Sequence, residues 1–404
     1  MNLTGKNIAV YVTGGIACYK VATFVRLLIK EGANVKVAMT HSACQFITPM
    51  TFQVLTKQEV YTDTFDETHP DQVNHIYLAD WSDLAIVVPA TGNTIAKIAN
   101  GIADNFVTSS LLATDCLRII APAMNEKMLL NPATQRNMKQ LQEDGWQVLD
   151  SSYGFLAEGY SGLGRLPEPE ELLQQTIFYS LQHQYGLPLN GKKVLISAGG
   201  TKERIDPVRY ISNDSSGKMG YALAKAASIL GAEVELVSTV TNLPIPLKVA
   251  HTYVETAQEL SDCITSKAPN NNIIIMAAAV SDFRVEHPAD KKIKKQVNTE
   301  KMSLSLIKNP DILAYLGNHK LANQLIVGFA AETNDVLAHA QSKLTRKKAD
   351  IIIANDVSNT DIGFNSNENQ VTLLHSSGDN ISFNQQSKES LAFNILLAIC
   401  DRYL

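Results

Sequence analysis

The sequence predicts an α/β protein of two doubly wound, Rossmann-like domains with mainly parallel sheets. The two halves open alike, with GKNIAVYVTGG from Gly5 and GKKVLISAGG from Gly191, each an apolar strand that runs into a glycine pair. Each opening continues through a helical stretch to a second strand, in EGANVKVAMT (31–40) and LGAEVELVSTV (230–240). More short β-branched runs bounded by turn residues follow, which is typical of strands covered on both faces.

Three further candidate strands lie in each half. Those of the first half are LAIVVPA (84–90), LRIIAPA (117–123) and WQVLD (146–150). Those of the second half are NIIIMAAAV (272–280), LIVGFAAET (325–333) and ADIIIAND (349–356). Helical stretches such as YKVATFVRLLIKEG and GYALAKAASILGA separate the strands. Each half therefore reads as a series of βαβ units.

The boundary between the halves is predicted within QYGLPLN (184–190), which contains glycine and proline. This segment separates a predicted helix, residues 168–184, from the strand that follows Gly191. We assign residues 1–186 to one domain and residues 187–404 to the other. Residues 360–380 are rich in Asn, Ser, Asp and Gly, which predicts a loop and hairpin near the C-terminus.

Composition excludes several classes of function. The 404 residues carry a net charge of -5, so there is no basic field to attract nucleic acid or an anionic membrane. No segment approaches the roughly 18 consecutive apolar residues that a membrane-spanning helix needs, and the N-terminal apolar run is a strand rather than a signal sequence. Five scattered cysteines without CxxC spacing indicate a reducing compartment. We expect a cytoplasmic protein.

Polar sequence rich in glycine or asparagine follows several strands of the first half. It reads TGGIA (13–17), PATGNTIAK (89–97) and PAMNEKM (122–128). Glycine lets backbone N–H groups approach a phosphate at a helix N-terminus, and ligands of open α/β sheets bind at the carboxyl ends of strands. His75 lies in VNHIYLADW, just before or within a short amphipathic element. Each feature alone also has a structural explanation, since glycine makes βα turns and Asn125 suits a helix N-cap.

The combination of TGGIACYK, NHIYL, PATGNTIAKIANGIADN and PAMNEKM resembles the homo-oligomeric flavin-containing cysteine decarboxylases, over about residues 5–170. That family includes phosphopantothenoylcysteine decarboxylases and lantibiotic peptidyl-cysteine decarboxylases. The resemblance implies a flavodoxin-like domain that binds FMN, with His75 and Asn125 as catalytic residues. The FMN contacts that it implies are Gly14, Gly15, Ile16, Thr40, Ala90, Thr91, Asn93 and Thr94.

These residue types suit the implied decarboxylation. The flavin carries the redox step, which oxidises the cysteine and makes loss of CO2 possible. An asparagine can hold the substrate carboxylate by hydrogen bonds, and a histidine can transfer a proton near neutral pH.

One position departs from the family pattern. Many relatives carry a cysteine in a mobile segment of the form ACGxxGxGR, whereas this chain reads AEGYSGLGR with Glu158 at the cysteine position. Because that cysteine is thought to supply a proton, we hypothesise that Glu158 supplies it here, kept protonated when the segment closes over the site. The alternative is that this half stalls at an oxidised product. The glycines at 159, 162 and 164 fit a flexible lid.

The densest motif of the second half is SAGGTKERIDPVRYISNDSSGKMGYALA (197–224). Its serines, glycine and exposed backbone at the start of a helix suit an anion, although a capped helix after a long loop is the simpler explanation. SSGK is not a Walker A motif, because Met219 follows Lys218. The lysines of KKIKK (291–295) would, taken alone, be read as a solvated face.

GGTKERIDPVRYISNDSSGKMG, AAAVSDF, KKIKK, KNPDI, GFAAET and AND resemble phosphopantothenate–cysteine ligase over about residues 190–400. Bacterial fusions of this ligase behind the decarboxylase use CTP, form an acyl-cytidylate and then couple cysteine. Magnesium is expected with the nucleotide. The resemblance implies catalytic roles for Asn213 and Lys292. It implies CTP contacts at Met276, Ala277, Ala278, Asp282, Lys292, Lys308, Asn309, Pro310, Asp311, Phe329, Lys343 and Lys347.

The resulting prediction is a bifunctional enzyme of coenzyme A biosynthesis that acts on 4'-phosphopantothenate, L-cysteine and CTP. Two alternatives remain open at this point. Only the ligase half is competent, because of Glu158, or the first half is an FMN-binding regulatory or assembly module. Retention of both His75 and Asn125 counts against the module. The resemblance further implies a homo-oligomer, with a trimer-based decarboxylase and a dimerising ligase.

Overall fold

The computed structural model describes residues 3–65, 72–294, 302–332, 334–356 and 366–404. Contacts between residues divide the chain into two compact units, Met1–Gln184 and Tyr185–Leu404. Each unit contains a parallel sheet with helices between successive strands, so the predicted α/β class is confirmed.

The first unit alternates strands and helices along most of its length. Its strands are β1 (Asn7–Val12), β2 (Asn34–Met39), β3 (Val60–Tyr61), β4 (Leu84–Ala90), β5 (Leu117–Pro122), β6 (Gln147–Val148), β7 (Ser152–Phe155) and β8 (Ser161–Arg165). Its helices are α1 (Cys18–Lys30), α2 (His41–Cys44), α3 (Pro49–Thr56), α4 (Asn74–Trp81), α5 (Gly92–Ala99), α6 (Phe106–Ala113), α7 (Glu126–Leu129), α8 (Pro132–Glu143) and α9 (Pro169–Tyr185).

The described strands β1 to β6 form one parallel sheet in the order β3-β2-β1-β4-β5-β6. Without the two-residue edge strand β3 the order becomes the 2-1-3-4-5 order of flavodoxin. Strand β4 is buried along its whole length, as its unbroken apolar run predicts. Helix α1 buries Val21, Phe24, Val25 and Leu28, a spacing that places one apolar face on the sheet. Strands β7 and β8 form a separate antiparallel hairpin.

The second unit has a longer sheet. Its strands are β9 (Lys193–Ala198), β10 (Lys202–Arg204), β11 (Tyr210–Ser212), β12 (Glu233–Ser238), β13 (Val249–Tyr253), β14 (Ile273–Met276), β15 (Phe283–Val285), β16 (Leu306–Lys308), β17 (Leu325–Glu332), β18 (Ile351–Asp356), β19 (Glu368–His375) and β20 (Asn380–Ser387). Its helices are α10 (Lys218–Ile229), α11 (Ala257–Lys267), α12 (Ile312–His319), α13 (Val336–Lys347) and α14 (Lys388–Tyr403), with a 3-10 turn at Ala268–Asn270.

The order of the described strands in this sheet is β13-β12-β9-β14-β17-β18-β19-β20. The six strands β13, β12, β9, β14, β17 and β18 run parallel in the doubly wound order, and β19 and β20 extend the sheet as an antiparallel hairpin. The predicted hairpin near the C-terminus is therefore present, although residues 357–365 of the predicted loop lie outside the described residues. Strand β14 ends at Met276 rather than at Val280, because the chain turns there into the cavity described below.

Candidate functional site

A cavity of about 820 Å³ opens at the carboxyl ends of β1, β2, β4 and β5. Successive strands of a parallel sheet end at one edge, so segments far apart in sequence meet there. The predicted FMN contacts that line the cavity are Gly14, Gly15, Ile16, Thr40, Thr91, Asn93 and Thr94. Ala90 does not line it, because that residue is fully buried at the end of β4.

Tight backbone packing shapes the glycine turn after β1. A Cβ built on Gly14 would lie 2.4 Å from Ser42 Cβ and 2.8 Å from the Ser42 carbonyl carbon. Any side chain at this position would push the turn away from α2. The buried Thr13 hydroxyl donates to the Pro89 carbonyl at 2.6 Å and accepts from the Thr91 N–H at 3.0 Å. Thr13 thus fixes two of the predicted FMN segments against each other.

Threonines cap the helices that point at the cavity. The Thr91 hydroxyl accepts from the Thr94 N–H at 3.3 Å and caps α5, and Thr40 accepts from the Ala43 N–H at 3.2 Å and caps α2. Helix N-termini and glycine turns present backbone N–H groups to a ligand, so this edge suits a phosphate without a cationic side chain. The cavity volume and these neutral donors fit a phosphorylated flavin such as FMN.

Asn125 lines the same cavity and caps α7. Its Oδ1 accepts from the Lys127 N–H at 2.9 Å, and its Nδ2 donates to the Tyr160 hydroxyl at 2.8 Å. One end of the amide is therefore fixed by the helix, and the other is held by a residue of the β7–β8 turn. The amide can exchange that second partner for another acceptor, such as a carboxylate.

The β7–β8 hairpin covers one side of the cavity, and Glu158 lies exposed in its turn among the lining residues. The hairpin is tied down at its base, where the Glu126 carboxylate accepts from the Leu163 N–H at 2.8 Å. Near the end of the second strand, Arg165 contacts Glu168 at 2.5 Å. The turn that carries Glu158 contacts the site through Tyr160, whose hydroxyl accepts from Asn125 Nδ2 at 2.8 Å.

His75 is the second residue of α4 and is half-buried. It is not among the residues that line the cavity of its own chain. The sequence analysis placed it just before or within a short amphipathic element, and the structure has it in the helix α4. The fold of one chain does not bring it to Asn125.

A second cavity, of about 1120 Å³, lies at the carboxyl ends of β14, β17 and β18. Asn213 lines it, and so do all the predicted CTP contacts except Lys292. These contacts are Met276, Ala277, Ala278, Asp282, Lys308, Asn309, Pro310, Asp311, Phe329, Lys343 and Lys347. The Asn213 Nδ2 donates to the Ala279 carbonyl at 3.2 Å, which joins the loop before α10 to the segment after β14.

Basic side chains form one wall of this second cavity. Lys343 donates to the Phe329 carbonyl at 2.8 Å, and Lys347 hydrogen-bonds the Asp311 carboxylate. Burial acts to raise the pKa of Asp311, but the hydrogen bonds from Lys347 and the Ala314 N–H and the charges of Lys347 and Arg346 together outweigh burial, and the net shift is downward. Arg346 adds a further cation to this wall. The wall can therefore neutralise the charge of a nucleotide triphosphate.

Lys292 does not line the cavity and is exposed, but its segment is anchored. The buried Asp206 carboxylate accepts from the Ile293 N–H at 3.1 Å and from Arg209 Nε at 3.0 Å. The Arg209 guanidinium holds the pKa of Asp206 well below its ordinary range. Residues 295–301 lie outside the described residues, so Lys295 of the predicted lysine run is not described.

Within the described ranges, no group of three or more His, Cys, Asp and Glu side chains is arranged to hold a metal ion. Of the helices in this part of the chain, none is long and apolar enough to cross a membrane.

Comparison with known proteins accounts for both halves. A family model described as "Flavoprotein" matches residues 1–179, and one described as "DNA/pantothenate metabolism flavoprotein C-terminal domain" matches residues 189–403. The "Coenzyme A biosynthesis bifunctional protein CoaBC" of Bacillus subtilis (strain 168) is 45% identical over 398 residues, 98% of this chain and 97% of that one. The chain belongs to the CoaBC family.

Other CoaBC proteins match over the same extent. That of Escherichia coli (strain K12) is 40% identical over 407 residues, 100% of this chain and 98% of that one. A crystal structure of the C-terminal domain of a CoaBC protein is 39% identical, with a TM-score of 0.46, and covers 54% of this chain and 97% of that one.

Several residues that line the second cavity of this CoaBC chain were missed in the sequence. They are Arg346, Asn355, Asn369 and Lys388. Lys388 is 6% exposed, and burial, followed by the charge of Lys218, lowers its pKa to about 8. The sequence held one signal for Lys388. This lysine is the first residue of helix α14, a position where the helix dipole disfavours a cation.

Proposed function

We propose that this chain carries out two successive steps of coenzyme A biosynthesis. The C-terminal unit couples L-cysteine to 4'-phosphopantothenate by way of an acyl-cytidylate made from CTP. The N-terminal unit then decarboxylates the product with FMN, which gives 4'-phosphopantetheine. The observation that carries the proposal is that all but one of the predicted FMN contacts, and all but one of the predicted CTP contacts, converge on one cavity at the carboxyl edge of the respective sheet.

In the N-terminal unit the glycine turn after β1 and the capped start of α5 would hold the phosphate and ring system of FMN. The flavin, when bound, supplies the oxidation that permits loss of CO2 and the reduction that follows. The chain supplies positioning and protons. Asn125 would release the Tyr160 hydroxyl and donate to the substrate carboxylate instead. Glu158, in the turn above the cavity, would deliver the proton that the family cysteine delivers in relatives.

We propose that His75 reaches this site from another copy of the chain. Ile16, Tyr19 and Phe155 line the cavity and are 63%, 64% and 68% exposed, a large apolar surface for a monomer. Val73 and Ile76, beside His75, are 59% and 40% exposed. A contact between two different faces of identical chains can close into a ring, and a ring of three is the trimer that the family resemblance implies. For the ligase unit, dimerisation rests on the family resemblance.

In the C-terminal unit, Lys308, Lys343 and Lys347 would bind the CTP phosphates. Asn213 would position the phosphopantothenate carboxylate for attack on the α-phosphate, which releases pyrophosphate. Lys292, on its anchored segment, would act when the cysteine amine displaces CMP. Mg²⁺ would enter with the triphosphate. Asp282 is one of the carboxylates that line this cavity.

Five free cysteines among the described residues agree with the reducing cytoplasm as the site of action.

A coupled assay tests the proposal. Purified protein is supplied with 4'-phosphopantothenate, L-cysteine and CTP, and pyrophosphate, CO2 and the product mass are followed. We expect pyrophosphate, CO2 and phosphopantetheine. Pyrophosphate without phosphopantetheine would support the second candidate, a chain in which only the ligase is fully competent, which the replacement of the family cysteine by Glu158 favours. Absence of both products would refute the bifunctional assignment.

A further inference from the structure

Two helices of the C-terminal unit place a lysine at their first residue, beside the second cavity. Lys218 opens α10 and Lys388 opens α14, and both residues line the cavity. A cation at the N-terminus of a helix is opposed by the helix dipole, and here two such cations influence each other. Both the helix dipoles and the mutual repulsion of the two lysines oppose these charges, which indicates a ligand of the opposite charge.

Hydrogen bonds connect the starts of helices α10 and α14. Lys218 Nζ donates to the Asn367 side chain at 2.8 Å, and the Lys388 N–H donates to the Asn367 carbonyl at 2.9 Å. Asn367 therefore links the two helix starts. The Lys388 side chain is only 6% exposed, so an anion that reaches it also leaves water. Electrostatic attraction in such a place is stronger than on an open surface.

An independent observation points to a ligand at the same place. Asn355, at the end of β18, lines the cavity and is 7% exposed, and its side-chain oxygen is buried without a hydrogen-bond partner. A buried acceptor of this kind is costly unless a donor reaches it. The ligand should therefore carry both an anionic group for the lysines and a hydroxyl or amide N–H for Asn355.

We propose that Lys218 and Lys388 bind the phosphate of the acid substrate, and that Asn355 accepts a hydrogen bond from its hydroxyl or amide. This inference rests on the proposed ligase function and adds a specificity site to it. The cavity then has two cationic poles for the two phosphorylated substrates. Lys308, Lys343 and Lys347 serve the nucleotide, and the Lys218–Lys388 pair serves the phosphomonoester at the end remote from the reacting carboxylate.

The test compares 4'-phosphopantothenate with pantothenate, which lacks the phosphate, as acids in the pyrophosphate-release assay with CTP. For Lys388→Met we expect kcat/KM with the phosphorylated acid to fall by roughly tenfold to a hundredfold, as for loss of one charge-assisted hydrogen bond. We expect kcat/KM with pantothenate and KM for CTP to stay within about twofold, as only the phosphate contact is lost. Inhibition by inorganic phosphate against the phosphorylated acid should weaken by the same factor.

Lys225→Met is the matched control. Lys225 also lies on α10 and pairs at 2.8 Å with Glu389, the neighbour of Lys388, but it does not line the cavity. It should leave the preference between the two acids unchanged. Lys388→Arg keeps the charge and should retain most of the preference, which separates a charge effect from misfolding.

Three outcomes would overturn the proposal. An equal loss with both acids would make Lys388 structural, and a matching rise in KM for CTP would assign it to the nucleotide. A wild-type protein that releases no pyrophosphate with either acid would refute the ligase function itself, on which the specificity site depends.

Discussion

The β7–β8 hairpin is held against Met124 by a glycine that leaves no room for a side chain. Gly164 has φ +124°, and a Cβ built on it would lie 2.0 Å from the Met124 carbonyl oxygen. The Met124 N–H also donates to the Gly164 carbonyl at 2.9 Å. Because Asn125 follows Met124, we expect Gly164→Ala to displace both the hairpin and the candidate catalytic amide.

Gly159 on the same hairpin provides the matched control. It has φ +88°, and among the described residues no heavy atom lies within 4 Å of a Cβ built there. Both alanine variants carry the left-handed backbone penalty of about 1–2 kcal/mol. Only Gly164→Ala adds a clash with backbone, about 1–3 kcal/mol, and loss of a hydrogen bond, about 1 kcal/mol. We therefore expect the free energies of unfolding to differ by about 2–4 kcal/mol.

Thermal unfolding of the flavin-loaded protein, followed by flavin fluorescence, measures this difference. A domain of this size shifts its Tm by about 2–4 °C per kcal/mol, so the two variants should differ by roughly 4–16 °C. CO2 release should fall in Gly164→Ala, while pyrophosphate release by the other unit continues. If Gly164→Ala melts and decarboxylates like Gly159→Ala, the hairpin is not held in the way described, and the reasoning fails.

Three further predictions follow from other residues. Glu158→Gln should lower phosphopantetheine formation by roughly a hundredfold or more at unchanged pyrophosphate release, and full activity would exclude Glu158 as the acid. Asp206→Asn should loosen the Lys292 segment and slow cysteine coupling by roughly tenfold to a hundredfold, so that acyl-cytidylate accumulates in a mass assay; normal coupling would contradict this. Burial lowers the pKa of Lys388 to about 8 from its usual 10.5, so the unfolded chain binds more protons between these values, and stability should rise with pH across that window. Melting curves of Lys388→Met should lack this rise, and an identical rise would disprove its origin.

The parallel sheets could be predicted because their strands are buried on both faces and therefore read as unbroken apolar runs. Strands β4 and β5 begin at the residues that the pattern marks, Leu84 and Leu117. The hairpin of β7 and β8 could not be predicted in this way. Its sequence, SYGFLAEGYSGLGR, has little apolar periodicity, because the hairpin lies on the surface and is held by Glu126 and Met124.

The residues of the candidate sites also differ in whether the sequence alone could place them. Residues that directly follow a strand, such as Gly14 and Thr91, could be placed from the sequence because the strand fixes where they lie. Tyr160 and the role of Lys388 could not, since each acts through a partner distant in sequence. Tyr160 reaches Asn125, and Lys388 acquires its role only where α14 packs beside α10.

The two cavities offer different groups to an anion, neutral donors in the first and lysine side chains in the second. This difference suits their proposed ligands. In the first cavity the lining cations already have carboxylate partners, since Lys20 and Arg165 contact Glu168 at 2.9 and 2.5 Å and Lys97 contacts Asp104 at 2.6 Å. Neutral N–H and hydroxyl donors are left for a phosphate that stays bound through many turnovers. In the second cavity lysine side chains form the wall. A triphosphate that must leave as pyrophosphate in each cycle is better served by such side chains, because they can return to partners such as Asp311 when it departs.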